Sequence, residues 1–210
     1  MFPPPSERGP QPRSLPGTDA PRTALFVDRW GTLLERPARG WCARFSNARF
    51  TPQATDALFR CTRSGWALYL IGNECQVASA RQSVESWQAF ERALEARLAG
   101  LGIPVARSYA CLDDPENGAS GRRRDSVFRL PNTGAMYHAA QHDGIDLPRS
   151  WVIGDGSQEL TAGWRAGCAL ASIGSDPALG DGGFGTGAAV EAPSLAEALD
   201  EIRACAPTRP

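Results

Sequence analysis

No lysine occurs anywhere in this sequence; all 22 of its basic residues are arginine. That absence excludes every chemistry that needs a lysine amine, from Schiff bases to the compact ammonium often used to hold a phosphate. As composition it fits GC-rich coding, like the abundance of Ala, Gly and Pro. An excess of charge of either sign is missing too. The formal net charge is -1, so no global field points to nucleic acid or an anionic membrane as partner. No apolar run is long enough to span a bilayer. The N-terminal MFPPPSERGPQPRSLPG lacks the apolar region of a secretory signal. Of the six cysteines, none stands in a C-x-x-C pair, which argues against a disulfide framework or a zinc cluster. A reduced, cytoplasmic protein is the expectation.

What is present suits one soluble domain. The chain has 210 residues, 42% hydrophobic and 21% charged, enough for a sizeable core. Residues 1–22 are rich in Pro, Ser, Gly and Arg and read as a disordered leader. Residues 23–204 form the expected domain, and 205–210 a flexible tail, with fraying from Ala204. Strand candidates are Ala24 to Val27, Trp66 to Ile71, Val105 to Cys111, Trp151 to Ile153 and Ala169 to Ile173. Helices are predicted from Thr51-Pro52 to about Arg63, with Thr51 as N-cap, and from Val77 to Leu98. Three more run from Asn132 to His142, from about Gln158 to Ala166, and onward from a Ser194 cap. Strands alternating with helices imply an α/β fold, a parallel sheet covered on both faces. In such sheets ligands bind at the carboxyl ends of the strands, where Asp28, Asn73 and Asp155 fall.

Three segments carry the chemistry. In LFVDRWGTLLE, residues 25–35, a buried strand delivers Asp28 to the rim and Gly31-Thr32 turns the chain. ALYLIGNECQVASA spans residues 67–80, and RLPNTGAMYHAAQHDGIDLPRSWVIGDGSQELTAGWRAGC spans 129–168. Together they resemble the haloacid-dehalogenase (HAD) superfamily, subfamily IIIA, in the branch of histidinol-phosphate phosphatase and the heptose bisphosphate phosphatases. Asp-x-x-Gly-Thr-Leu matches its first motif. Asn73 matches the Asn of Thr-Asn-Gln-Ser-Gly-Ile-Ala, with Gly72 in place of Thr. Gly144 to Leu147, Ser150, Trp151, Gly154, Asp155 and Glu159 follow the third stretch.

The resemblance implies a Rossmann-like parallel sheet without a large cap domain. It implies Asp28 as a nucleophile that forms an aspartyl-phosphate on a small phosphorylated metabolite. It implies Mg²⁺ held by Asp28, the backbone carbonyl of Trp30, and Asp155, with Glu159 ordering a metal-bound water. Thr32, Gly72, Asn73 and Arg129 are the expected phosphate-binding positions. No protein partner is indicated.

Several positions depart from the family. Trp30 stands where the second Asp serves as general acid and base, a loss typically worth about 10²–10⁴ in rate. Leu130 stands where the catalytic Lys belongs, and Arg129 is the nearest cation in sequence, hence the expected substitute. Three readings follow: an impaired phosphatase, a non-catalytic binder of a phosphorylated ligand or a protein, and a hydrolase with another leaving group such as a dehalogenase. His138 and His142, four apart, read as a solvated helix face rather than a metal site. The branch's zinc loop corresponds to residues 109–131, where Cys111 survives but Asp113, Ser126 and Phe128 replace the other ligands. Metal analysis of the purified protein should therefore show no stoichiometric zinc. One zinc per chain would overturn this alignment.

Overall fold

A computed structural model describes residues 22–38, 40–174 and 187–205. The expected leader up to residue 21 and the tail from 206 lie outside the described residues. Arg22 is already part of the domain: its N–H donates to the Gly144 carbonyl at 3.2 Å, and its own carbonyl accepts from Asp146 N–H at 2.8 Å.

The strands are β1 (Ala24–Asp28), β2 (Ala67–Asn73), β3 (Val105–Cys111), β4 (Trp151–Gly154), β5 (Ala169–Ile173) and β6 (Val190–Ala192). They form one sheet in the order β3-β2-β1-β4-β5-β6, and each pairing is parallel. β1 and β4 are neighbours, so their carboxyl ends open side by side at the point where the strand order reverses. That is the crevice such sheets use for ligands. β6 was not expected from the sequence; its three residues are too few for a periodic signal.

The helices are α1 (Ala54–Arg63), α2 (Cys75–Ala78), α3 (Val84–Gly100), α4 (Gly134–Asp143), α5 (Ser157–Arg165) and α6 (Leu195–Cys205). Side chains alternate across the strands and meet helices on both faces. Leu25, Val27, Leu68 and Leu70 bury against α1, α3 and α6. Ala24, Phe26, Tyr69 and Val152 bury against α4 and α5. Among the described residues no insertion forms a second domain.

Three boundaries differ from the sequence expectation. The predicted helix from Val77 is two helices. Ala80, with φ of 59°, turns the chain between them, and Ser83 starts α3 by accepting from Ser86 N–H at 3.2 Å. Thr51 does not cap α1. Its hydroxyl donates instead to the Thr32 carbonyl at 2.7 Å, and Gln53 takes the cap position. Ala204 and Cys205 are helical rather than frayed. Gly144 does end α4 in the left-handed conformation.

Gly163 sets how closely α5 approaches the sheet. A Cβ there would lie 2.6 Å from Val152 Cβ and 2.7 Å from Leu170 Cδ2. Gly163→Ala should cost about 1–3 kcal/mol through overpacking, despite the better helix propensity of Ala. Chemical denaturation measures this; a neutral or stabilising result would show that α5 can shift without penalty.

Candidate active site

β1 ends at Asp28, β4 ends one residue before Asp155, and Glu159 lies in the first turn of α5. Neighbouring strands and the short turn into α5 thus bring three carboxylates together. One ligand atom from each lies within 4.8 Å of the others. Glycines make the approach possible. A Cβ on Gly31, whose φ is +92°, would lie 2.0 Å from Asp155 Oδ2, and one on Gly154 would lie 2.1 Å from Glu159 Cγ. Glu159 is fixed by accepting from Gly156 N–H at 2.5 Å.

The electrostatics follow from this crowding. Burial, then the charges of Glu159 and Asp155, pushes the Asp28 carboxyl well above its ordinary range. Burial likewise raises Glu159, against the pull of backbone N–H groups. Like charges so close in a poorly solvated place call for a counter-cation. Three hard oxygen donors on adjacent elements suit Mg²⁺. Asp28, Asp155 and Glu159 are brought together as the sequence led one to expect, and Trp30 follows Asp28 in the same loop.

The cation beside Asp28 is Arg29, not Arg129. Arg29 is fully buried. It pairs with buried Glu74, donates to Ser108 Oγ at 2.8 Å, lies 3.6 Å from Glu91 and stacks over Trp87 at 5.0 Å. It lowers the Asp28 pKa, but less than the neighbouring carboxylates raise it. Arg129 pairs with Asp114 at 3.2 Å. The expectation that it replaces the lysine therefore fails in this geometry: Asp114, oriented by Glu116 and Asn117 N–H groups, already holds it.

Trp30 is built into the same network. Its indole N–H donates to Glu74 Oε2 at 3.2 Å, and its ring packs 5.4 Å from Phe90. Gln76 donates to the same Glu74 oxygen at 2.6 Å. Where the family pattern has Asp and Gln, this chain has Trp30 and Glu74, and the two are hydrogen-bonded partners.

The Asn73 amide is engaged within the protein. Its Oδ1 accepts from Leu130 N–H, and its Nδ2 donates to the Leu130 carbonyl and to Gln158 Oε1, each at 2.9 Å. These bonds tie the 130 loop to β2. Thr32 is fully buried, and its hydroxyl has no hydrogen-bond partner within the protein. Gly72 does lie at the site. A Cβ there would be 3.1 Å from Arg29 Nη1 and 3.6 Å from Asp28 Oδ1, so the missing side chain leaves room for the buried guanidinium. Leu130 is buried in the core formed with α4 and α5.

Beyond β3, Asp113 is occupied by Arg122 and Arg124, and Phe128 stacks on Tyr109. His138 and His142 stack at 4.2 Å, and His138 Nδ1 meets the Tyr109 hydroxyl at 2.9 Å. That face is partly packed rather than simply solvated.

Arg29, Arg36, Glu74, Glu91 and Ser108 were missed in the sequence. No spacing connects them, because adjacency of β1, β2 and β3 brings most of them together. The one available signal was Glu74 in place of the motif's Gln. Arg36 lies over the Gly31 turn and grips both oxygens of Asp155, at 2.9 Å each.

The chain resembles known proteins in sequence and in fold. No family model matches the chain. It is 30% identical over 152 residues to the D-glycero-D-manno-heptose-1,7-bisphosphate 7-phosphatase of Thermosynechococcus vestitus, covering 70% of this chain and 76% of that one. Two solved structures share the fold. A HAD-like protein from Mesorhizobium loti superposes with a TM-score of 0.76 at 24% identity, covering 90% and 91% of the two chains. The D,D-heptose 1,7-bisphosphate phosphatase of B. bronchiseptica, solved with magnesium and phosphate, gives 0.72 at 22% identity, covering 88% of this chain and 100% of the other. The chain belongs to the HAD superfamily, among the relatives of the heptose bisphosphate phosphatases.

Proposed function

We propose that this chain is a Mg²⁺-dependent phosphohydrolase of a small sugar phosphate, slowed by the replacement of two catalytic groups. The convergence of Asp28, Asp155 and Glu159 within 4.8 Å at the carboxyl ends of β1 and β4 carries the reading. Those three carboxylates, with the Trp30 carbonyl, would hold Mg²⁺, which offsets charge on the phosphoryl oxygens. A bound phosphoryl group would face Asp28. An Asp28 carboxylate oxygen forms a bond to phosphorus while the ester oxygen's bond breaks, leaving an aspartyl-phosphate that water then cleaves.

The difficulty lies with the proton. A leaving alkoxide needs one, and the Trp30 indole N–H cannot supply it: it is a very weak acid, already directed at Glu74. Slow turnover follows, most severe for alkyl esters. A second reading, a phosphate-binding protein without turnover, is favoured by Trp30 and Leu130 both being packed into the protein rather than left loose.

Metal dependence is tested by thermal unfolding. The raised Asp28 pKa means the folded chain favours its protonated form. That contribution to stability is present in acid and lost as pH rises through the raised value. Mg²⁺ should therefore raise the melting temperature most near neutral pH and progressively less on acidification. Asp155→Asn should abolish the increment. No Mg²⁺ increment in wild type at neutral pH would refute the metal site.

Turnover is tested by comparing an aryl with an alkyl phosphate. Alkyl phosphate hydrolysis should be slower than in a competent relative by at least about 10². The aryl ester, whose leaving group needs little protonation, should suffer least. Asp28→Asn should abolish all turnover. Trp30→Asp alone should restore little, since it sets a carboxylate against Glu74. Trp30→Asp with Glu74→Gln and Leu130→Lys should act more than additively. Binding of phosphate without any aspartyl-phosphate in single-turnover trapping would select the second reading. Alkyl turnover at ordinary rates would show that the replaced groups have been substituted.

A further inference from the structure

Without lysine, some other cation must offset the repulsion between Asp28 and an anionic substrate. Near the site the described arginines divide clearly. Arg29 is fully buried between Glu74, Glu91 and Trp87, and two carboxylates already claim its one charge. Arg129 is held by Asp114. Arg122 and Arg124 hold Asp113 beside a separate cavity of about 320 Å³ beyond β3. Arg36 differs from all of these in the carboxylate it holds. Its side chain is 64% exposed, and its charge rests on Asp155, itself one of the three converging carboxylates.

We infer that Arg36 is a mobile substitute for the missing lysine: it latches Asp155 in the metal-free chain and turns to the substrate phosphate once a divalent cation claims that carboxylate. The inference rests on the proposed Mg²⁺-dependent reading of the same site. Three observations support it. The Arg36 guanidinium satisfies both Asp155 oxygens at 2.9 Å, so it occupies the donor atoms a cation would seek. An ion pair with one exposed partner contributes little and is readily exchanged for a doubly charged competitor. The guanidinium also lies over the turn that follows Asp28, since a Cβ on Gly31 would come within 2.8 Å of Arg36 Nε. A small swing of a flexible stem therefore keeps it at the mouth of the site. Its planar fork matches two phosphate oxygens, as the absent ammonium would not.

Such an exchange predicts opposite effects on two ligands. Calorimetry on the full chain would titrate Mg²⁺ alone, then inorganic phosphate onto the Mg²⁺-loaded protein, for wild type, Arg36→Gln and Arg36→Lys. Loss of the competing charge should tighten Mg²⁺ binding in Arg36→Gln severalfold. Phosphate should bind that variant about tenfold more weakly, one charge-assisted contact being lost. Arg36→Lys should recover part of the phosphate affinity. A merely structural latch would instead weaken Mg²⁺ binding, by leaving Asp155 misplaced, or would leave phosphate affinity unchanged. Either result with normal Mg²⁺ binding in wild type overturns the role of Arg36 alone. Absence of Mg²⁺ binding in wild type overturns the metal-dependent reading and this inference with it.

Discussion

Three carboxylates held within 4.8 Å of one another, in a place where burial raises the pKa of two of them, are the constraint around which this molecule is arranged. Negative charge so concentrated must be met by protons, by a metal or by cationic side chains. With no lysine in the sequence, the cationic share falls to guanidinium groups. The structure uses two, in opposite settings. Arg29 is immobilised beneath the site, enclosed by Glu74, Glu91, Ser108 and Trp87. Arg36 stands over it, half in solvent, on Asp155.

The replaced positions are not simply vacated. Trp30 fills its place with a ring against Phe90 and an N–H on Glu74, and Leu130 joins the core beside α4. Glu74 accepts from Arg29, Trp30 and Gln76 at once, so it couples the first motif to the second. A buried charge with that many partners is costly to disturb. Changes at positions 29, 30 and 74 are therefore linked, and none of them can be judged singly.

Much of the architecture could be read from the sequence, because short apolar runs and glycine-terminated helices leave periodic traces. Asp28 and Asp155 were legible at the ends of predicted strands, and Glu159 through the motif resemblance to the HAD superfamily. What could not be read depends on neighbours distant in sequence. Asn73 stands at the strand end as expected, and its amide bonds to the backbone of Leu130 are invisible in the sequence. Arg129 is adjacent to the lysine position in sequence but turns to Asp114. Position 36 belongs to no motif, and only the fold over Gly31 brings it to Asp155. The Val77 helix was misjudged for a local reason: the turn at Ala80 and the cap at Ser83 interrupt an otherwise continuous apolar pattern.

Two hydrogen bonds join Asn73 of β2 to the backbone of residue 130. Asn73 grips the N–H and the carbonyl of Leu130, as a strand neighbour would. The course of this loop is thus set by its backbone, while the buried Leu130 side chain ties the same residue into the core beside α4.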